Sequence, residues 1–390
     1  MGPLNGVRIL DLTSVVMGPL ATQIMGDLGA DVVVIETGNG DINRAMGFGP
    51  HPELSGVALN LMRNKRSVSL DLKTAAGRAA FLRLVADADV VITNLRPGPL
   101  GRLGLTYGDL VAVRPQLIMC RAHGYPSDSD QANAPAYDDI IQSASAIGDL
   151  YKRAGSEPSL LPTLVADKVS GMSIAYAVMA ALFHRERTGE GQDIEVPMID
   201  VMRSFVLVEH GASAIPEPAL GAPGHVRILT PERKPQQTTN GWINVLPYRR
   251  EDFLAVFRAG GHDDMDDDPR FATRAARLQN SDSLYRDIAK VLATNTTEHW
   301  LAFCEANGIP ATEAASLDDL VDELPIATHP LVGKYRETKS PVRFSATPVE
   351  MRLPAPLVGQ HGREVLAAAG FTNQEMDDLE AAGTLGTPSR

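Results

Sequence analysis

Short apolar runs alternate with segments of helical spacing over the first third of the chain, and this alternation limits the possible folds more than any other feature. Residues 31–36 are almost continuously apolar, which is typical of a parallel strand covered on both faces. Residues 7–12 form a similar run, and the helical pattern between the two runs ends at Gly29. Three more strands and a helix are predicted at residues 67–72, 89–93, 117–120 and 75–86. This order predicts an α/β fold with an open, mostly parallel sheet.

The second half of the chain has a different pattern. A long helical segment begins at Asp167 and ends at Gly189, and residues 193–198 alternate like a half-exposed strand. Pro, Gly and Ala dominate residues 213–237 without periodicity, which indicates a linker or an active-site loop. The strand and helices predicted after it indicate a compact α+β segment.

The composition excludes several classes of function. The 390 residues include 36 Lys and Arg against 48 Asp and Glu, a net charge of −12, which argues against general binding to nucleic acid or an anionic membrane. The N-terminus lacks the basic region of a signal peptide, and no run of about 18 apolar residues predicts a membrane span. Two cysteines exclude a disulfide scaffold and fit a reducing compartment, so we expect a cytoplasmic location.

Motifs for tightly bound cofactors are missing from the sequence. Gly38 and Gly40 follow the second predicted strand, but Asn43 stands where a dinucleotide-binding fingerprint needs its third glycine. Phosphate loops of the GxxxxGKS or GxxxxGKT type, HExxH and GxSxG do not occur, and the nine histidines show no metal-type pairing. We therefore expect no metal and no permanently bound cofactor.

Asp167 stands at the start of a predicted helix, in the sequence Val-Ala-Asp-Lys-Val-Ser-Gly-Met. Asp is a favoured N-cap residue, and from the residues alone a capping role is the better interpretation. The same position also suits chemistry, because the free amides and the helix dipole favour an ionised carboxylate. Such a carboxylate can act as a covalent nucleophile.

An ordered set of short motifs runs through nearly the whole chain. It begins with Leu-Asn-Gly-Val-Arg-Ile-Leu-Asp-Leu at residues 4–12 and ends with Pro-Ala-Pro-Leu-Val-Gly-Gln-His at residues 354–361. Between them lie motifs at Gly18-Pro19 and at residues 27–36, 64–73, 91–98, 136–138 and 187–192. Each motif is weak alone, but in this order they resemble the family III CoA-transferases.

The resemblance implies a homodimer of two interlocked subunits, each threaded through the ring of the other. Each subunit would have a Rossmann-like large domain and a smaller α+β domain. The large domain would comprise residues 1–205 and 326–390. Residues 206–237 would form a linker or active-site loop, and residues 238–325 the small domain.

The resemblance also implies a mechanism. The family's catalytic residue is an Asp before the helix that carries a Ser-Gly pair, which corresponds to Asp167. Its carboxylate would attack an acyl-CoA thioester to give an acyl-aspartyl anhydride, and the released CoA thiolate would form an aspartyl-CoA thioester. A carboxylic acid would then displace the CoA. The implied partners are coenzyme A or acyl-CoA as substrate, a small carboxylic acid and a second copy of the chain.

The same matching implies a set of substrate contacts. Tyr137 would shape the thioester pocket, and Asp138 beside it would orient neighbouring amides. Lys73, Arg96 and Arg102 would supply charge to the CoA phosphates. The residues lining CoA would be Val16, Met17, Leu70, Asp71, Leu72, Lys73, Asn94, Leu95, Arg96, Arg102 and Ala136.

Two other functions stay open. The α-methylacyl-CoA racemases, of the same superfamily, move a proton at the α-carbon with the equivalent Asp and a His, where this chain has Tyr137. A Tyr side chain, with a pKa of about 10, is a poor second base. His123 is the nearby histidine, and we expect it to pack or hydrogen-bond in its loop. We therefore favour transfer over racemisation or epimerisation. The third interpretation is a CoA-binding protein without catalysis.

Overall fold

The computed structural model describes residues 1–388, which divide into two compact units. The first unit contains Met1–Ser145, Leu161–Ser204 and the residues from Leu324 onward, so it is built from both ends of the chain. The second unit contains Ala146–Leu160 and Phe205–Glu323.

Twelve strands and sixteen α-helices are found in residues 1–388. The strands are β1 (Arg8–Leu12), β2 (Asp31–Glu36), β3 (Lys65–Leu70), β4 (Val90–Thr93), β5 (Ile118–His123), β6 (Asp193–Pro197), β7 (Gln236–Gln237), β8 (Trp242–Val245), β9 (Ala311–Glu313), β10 (Ile326–His329), β11 (Gly333–Arg336) and β12 (Leu385–Gly386). The helices are α1 (Met17–Asp27), α2 (Gly56–Leu61), α3 (Ala75–Ala86), α4 (Pro97–Leu103), α5 (Tyr107–Val111), α6 (Asp138–Ala144), α7 (Ile147–Arg153), α8 (Val165–Thr188), α9 (Met198–His210), α10 (Arg250–Ala259), α11 (Arg274–Gln279), α12 (Ser281–Leu292), α13 (Thr297–Ala306), α14 (Leu317–Asp322), α15 (Gly362–Ala368) and α16 (Asn373–Ala381).

A seven-stranded sheet lies at the centre of the first unit, with the strand order β12-β3-β2-β1-β4-β5-β6. Neighbouring strands pair in parallel, except that β12 pairs antiparallel with β3. The order of β1 to β6 is that of doubly wound α/β folds, in which the chain winds first to one side of β1 and then to the other. The predicted α/β fold with a mostly parallel sheet is confirmed.

β2 coincides with its predicted run, but β3 begins two residues before its predicted start. The reason is Lys65, which is fully buried and donates to the Asp11 carboxylate at 3.2 Å. This charged residue therefore begins a central strand. Asp71 follows the last residue of the strand, and its carboxylate accepts the Lys73 amide at 3.0 Å. That bond turns the chain away from the sheet.

The second unit has an antiparallel sheet of order β7-β8-β9. Its core is formed by aromatic and aliphatic side chains, among them Phe253, Phe257 and Trp300. The predicted linker at residues 206–237 is irregular only in its middle, because α9 extends through His210 and β7 occupies its end.

Residues 146–160 differ from the predicted domain boundaries. The sequence prediction assigns them to the large domain, whereas the structure groups them with the second unit. The guanidinium of Arg153 donates to the Pro223 carbonyl of that unit at 3.1 Å. This contact joins residues that are 70 positions apart, so local composition could not indicate it.

α8 is the one helix in residues 1–388 that is long and apolar enough to cross a membrane. Half of the most apolar 18-residue stretch of this helix is buried inside the protein. The helix packs along α1 and also contacts β5 and β6. We therefore interpret α8 as a core helix of the first unit.

Candidate active site

The site lies where the strand order of the large sheet reverses, between the carboxyl ends of β1 and β4. Doubly wound sheets bind their ligands in the crevice at this point. The β1–α1 loop, residues 13–16, forms one side of the crevice. The side chain of Asn94, which follows β4, holds the backbone of Ser14 in this loop: Oδ1 accepts the Ser14 amide at 3.1 Å, and Nδ2 donates to the Ser14 carbonyl at 2.8 Å. The β1–α1 loop and the segment after β4 are thus held together.

Asp167 is the third residue of α8, which begins at Val165. The capping role considered from the sequence is wrong, because Leu164 occupies the cap position. The Asp138 carboxylate accepts the backbone amide of Asp167 at 3.0 Å and the side-chain amide of Gln142 at 2.6 Å. Both carboxyl groups are buried, so two acidic side chains share one poorly solvated site.

The environment of Asp167 favours its neutral form. Burial is the larger cause and the charge of Asp138 the smaller one, and together they raise the pKa of Asp167 from 3.8 to about 7. The N-terminus of a helix favours a charged carboxylate, but loss of water outweighs that effect here. Titratable groups perturbed in this way are concentrated at functional sites.

Asp167 lines a cavity of about 180 Å³, which we call the Asp167 cavity. Its walls come from the β1–α1 loop, the segment after β4, the end of β5 and the segment before α6. The lining residues are Ser14, Val15, Met17, Asn94, Arg96, His123, Gly124, Ala134, Pro135, Ala136, Tyr137, Asp167 and Met198. The carboxyl group is therefore buried but lies beside space that a substrate can occupy.

Two more cavities follow along the same edge of the sheet. The middle cavity, about 260 Å³, shares Ser14 with the Asp167 cavity. Its other lining residues are Leu12, Thr13, Ile35, Glu36, Thr37, Gly40, Asp41, Leu70, Asp71, Leu72, Lys73, Leu95 and Leu103. The outer cavity, about 590 Å³, shares Leu72, Lys73, Leu95 and Leu103 with the middle one and adds Thr74, Ala75, Arg78, Pro99 and Arg102. The three cavities are thus neighbours, with Asp167 at one end of the row and the basic residues at the other.

Most of the predicted substrate contacts lie along these cavities. Those that line the Asp167 cavity are Met17, Asn94, Arg96, Ala136 and Tyr137. Those that line the middle cavity are Leu70, Asp71, Leu72, Lys73 and Leu95. Arg102 lines the outer cavity. Segments that are far apart in the sequence therefore meet in one region, as the resemblance implies.

Two predicted contacts lie elsewhere. Val16 is buried, and its neighbours Val15 and Met17 line the Asp167 cavity instead, because α1 begins here and turns Val16 inward. Asp138 is buried behind Asp167, where it holds the Asp167 amide, and is absent from the residues that line the cavity.

Arg96 is separated from the two basic residues with which the sequence prediction groups it. It lines the Asp167 cavity, and its guanidinium donates to the Asn133 carbonyl at 2.6 Å. Lys73 and Arg102 line the outer cavity together with Arg78, which sequence reasoning missed. The available signal was that Arg78 lies near the start of the helix after β3, five residues beyond Lys73.

His123, at the end of β5, also lines the Asp167 cavity. It makes the kind of hydrogen bond expected from the sequence, with Nδ1 2.7 Å from the Tyr125 carbonyl oxygen. Nε2 lies 3.4 Å from the Glu195 carboxylate but has no hydrogen-bond partner. Burial is the main cause that lowers the pKa of His123. An imidazole whose neutral form is favoured by burial therefore borders the same space as Asp167.

α8 is held against α1 by a close approach at Gly171. A Cβ atom at this position would lie 2.6 Å from the Met17 carbonyl oxygen, which is too close for any side chain. Gly171, the second residue of the Ser-Gly pair, thus has a packing role one turn after Asp167. It brings the helix that carries Asp167 against the helix that follows the β1–α1 loop.

Among residues 1–388, no three or more His, Cys, Asp or Glu side chains lie close enough together to hold a metal ion.

Comparisons with known proteins identify the family. Residues 4–362 match the family described as CoA-transferase family III. A probable fatty acyl-CoA transferase of Mycobacterium tuberculosis is 31% identical over 384 residues, covering 94% of this chain and 98% of the relative. A succinate–glutarate CoA-transferase of Agrobacterium fabrum is 31% identical over 408 aligned positions, covering 98% of both proteins. The crystal structure of a CAIB/BAIF family protein from Brucella suis superposes with a TM-score of 0.80 at 28% identity, covering 94% of this chain and 99% of that one. The chain belongs to CoA-transferase family III and is an enzyme of the CoA-transferase class.

Proposed function

We propose that Asp167 is the nucleophile of this CoA-transferase and that the reaction passes through covalent aspartyl intermediates. One observation carries the proposal: the Asp167 carboxyl is buried and has a raised pKa, yet it lines a cavity at the switch point of the sheet. A carboxylate can act as a covalent nucleophile when it is positioned against the reacting carbon.

Each step exchanges one reactive bond for another. An Asp167 oxygen attacks the thioester carbonyl of the donor acyl-CoA, the C–S bond breaks, and CoA leaves as the thiolate. The thiolate attacks the aspartyl carbonyl of the anhydride, which forms the aspartyl-CoA thioester and releases the donor acid. The acceptor carboxylate then attacks the carbonyl of this thioester, the C–S bond breaks, CoA leaves again as the thiolate, and a second anhydride forms. Finally, the thiolate attacks the acceptor carbonyl, so that the acceptor leaves as acyl-CoA and Asp167 regains its carboxylate.

The burial that raises the pKa of Asp167 also favours these intermediates. Anhydride and thioester are both neutral, so acylation removes a charge that is poorly solvated and that faces Asp138. A desolvated carboxylate is also a stronger nucleophile than a hydrated one. Asp138 supports the reaction indirectly, because its hydrogen bond fixes the backbone of the residue that is acylated.

We place the CoA nucleotide at the basic end of the row of cavities and the thioester at Asp167. Lys73, Arg78 and Arg102 line the outer cavity, and such side chains bind phosphate through charge-assisted hydrogen bonds. Lys73→Ala and Arg102→Ala are expected to raise KM for acyl-CoA several-fold. Transfer from an acyl-pantetheine thioester, which lacks the nucleotide, should change little. Equal effects on both donors would contradict this placement.

Trapping of the intermediate tests the proposal. The enzyme is incubated with acyl-CoA and then with hydroxylamine, and peptides are analysed by mass spectrometry. A hydroxamate on the peptide that contains Asp167 is expected, and Asp167→Asn should abolish both the adduct and transfer. Asp139→Asn is the matched control, because Asp139 is the exposed neighbour of Asp138. Full activity of Asp167→Asn would refute the proposal.

The names of the relatives define the first substrates to assay. Succinyl-CoA with glutarate follows from one group of relatives, formyl-CoA with oxalate from a second, and a fatty acyl-CoA donor from a third. Mass spectrometry of the CoA products for each donor and acceptor pair identifies which acids exchange.

Exchange of an α-proton is the second candidate, and the position of His123 favours it. His123 borders the Asp167 cavity, so two titratable groups there could serve a proton transfer, although Tyr137 replaces the expected histidine. Deuterium uptake at the α-carbon in heavy water, without an acceptor acid, would support it. Loss of that uptake in His123→Gln, with transfer retained, would separate the two activities.

We also propose that a second copy of the chain completes the assembly as an interlocked homodimer. Met172, Tyr176 and Phe183 lie on one face of α8, and these residues are 51, 63 and 65% exposed. An apolar helix face of this kind is typical of an interaction surface. Analytical ultracentrifugation should give twice the mass of 41.8 kDa; a monomer would contradict the proposal.

The two buried free cysteines support a reducing, cytoplasmic location, which cell fractionation can test.

A further inference from the structure

Val15, in the β1–α1 loop, has an unusual backbone conformation. Its φ angle is +71°, in the left-handed region. This region is unfavourable for a β-branched residue, because its branched side chain crowds the backbone. Residues held in this way persist only where surrounding contacts compensate, and they are concentrated at functional sites. The contacts that hold Val15 therefore show what this conformation is for.

The backbone of Val15 is gripped by two side chains of one short turn. Both carboxylate oxygens of Asp41 accept the Val15 amide, each at 3.1 Å. The side-chain amide of Asn43 donates to the Val15 carbonyl at 3.2 Å. The Asp41 carboxylate also accepts the Asn43 amide at 2.7 Å, so the turn holds its own side chain in place. We call Asp41 and Asn43 the Val15 clamp.

The clamp is anchored to the central sheet. The backbone amide of Asp41 donates to the carboxylate of Glu36, the last residue of β2, at 2.9 Å. Glu36 in turn forms a buried ion pair with Arg44 at 2.6 Å. Because each group is held by the next, the Asp41 carboxylate has a fixed position relative to β2.

The clamp also connects two of the cavities. Asp41 lines the middle cavity, whereas Val15 lines the Asp167 cavity. Burial is the main cause that raises the pKa of Asp41 to about 6, and the mechanism proposed above makes no use of this carboxylate. A half-buried acidic group that lines one cavity and also holds the wall of the next is well placed to set the shape of that wall.

We propose that Asp41 is a positioning residue, which holds Val15 in its left-handed conformation and thereby fixes the wall of the Asp167 cavity against which the acyl thioester lies. This inference rests on the proposed function, since it concerns the geometry of acylation at Asp167. Without the clamp, Val15 would relax to a common backbone conformation and displace that wall. A displacement of about 1 Å can reduce a rate by about a hundredfold.

A double-mutant cycle tests the proposal. Asp41→Ala is expected to lower kcat for transfer by between about tenfold and a hundredfold, with a smaller change in KM for acyl-CoA. Glycine adopts a positive φ about as readily as a negative one. Asp41→Ala should therefore lower kcat much less in the Val15→Gly background than in the wild-type background. Equal losses in the two backgrounds, or no loss in the wild type, would overturn the proposal.

Hydrogen exchange of the Val15 amide provides a readout that does not depend on catalysis. We expect slow exchange in the wild type and markedly faster exchange in Asp41→Ala and in Asp41→Leu, which keep no acceptor for this amide. Unchanged exchange in either folded variant, or exchange in the wild type as fast as in an unstructured peptide, would also overturn the proposal. If the wild type shows slow exchange but no transfer, the proposed function fails while the clamp stands.

Discussion

Replacing Asp167 by asparagine is expected to stabilise the folded protein while it removes transfer. Asparagine has nearly the same shape but no charge, so the cost of a buried carboxylate beside Asp138 disappears. A tenfold change in an acid dissociation constant corresponds to about 1.4 kcal/mol. The rise in the pKa of Asp167 from 3.8 to about 7 therefore corresponds to about 4 kcal/mol when the group is ionised.

This cost depends on pH in a definite direction. Between pH 3.8 and about 7, the folded protein keeps a proton on Asp167 that the unfolded chain releases. The contribution of this group therefore makes the free energy of unfolding fall as pH rises through that window, and the fall is complete above it. We expect Asp167→Asn to gain about 4 kcal/mol at about pH 8 and less than about 2 kcal/mol at about pH 5.

Urea unfolding followed by circular dichroism at both pH values measures this gain. Asp139→Asn is the control, because removal of an exposed carboxylate should change the free energy of unfolding by less than about 0.5 kcal/mol. If Asp167→Asn is no more stable than the wild type at the higher pH, the buried carboxylate carries no such cost. The argument that burial favours the neutral intermediates would then fail.

Two further substitutions test the surroundings of Asp167. Asp138→Asn keeps an oxygen that can accept the Asp167 amide but removes the like charge, so the pH profile of hydroxylamine trapping should move to lower pH. Because burial is the larger cause of the raised pKa, the movement should be less than half of the rise from 3.8 to about 7. An unmoved profile would contradict a contribution from the charge of Asp138. Gly171→Ala would place a Cβ 2.6 Å from the Met17 carbonyl oxygen, and we expect a loss of about 1–3 kcal/mol in urea unfolding together with a lower kcat. Wild-type stability would show that α1 and α8 do not approach so closely.

The sheet was largely predictable because its strands carry their own signal. β2 is apolar at four consecutive positions that are all buried, so hydropathy alone locates it. The predicted start of β3 was two residues too late, because the strand begins with Lys65, whose buried charge is compensated by Asp11. Asp11 lies far from Lys65 in the sequence, so hydropathy has no means of detecting this pair.

The site residues that lie in sequence motifs were predictable. The features that depend on contacts between residues far apart in the sequence were not. Asp167 could be identified through the resemblance, but a capping Asp and a buried, partly neutral Asp have the same local sequence. The difference lies in Asp138, which is 29 residues earlier and accepts the Asp167 amide. The left-handed conformation of Val15 could not be predicted from the sequence, because a positive φ is expected at glycine, asparagine or aspartate and rarely at a β-branched residue.

Oxygen transfer during a single turnover tests the central claim most directly. If Asp167 passes through both anhydrides, one oxygen of the acceptor carboxylate must remain on the Asp167 side chain when the new acyl-CoA leaves. With an acceptor acid labelled by heavy oxygen, we expect mass spectrometry to find one heavy oxygen on the peptide that contains Asp167. Formation of acyl-CoA with no label on that peptide would contradict covalent catalysis by Asp167.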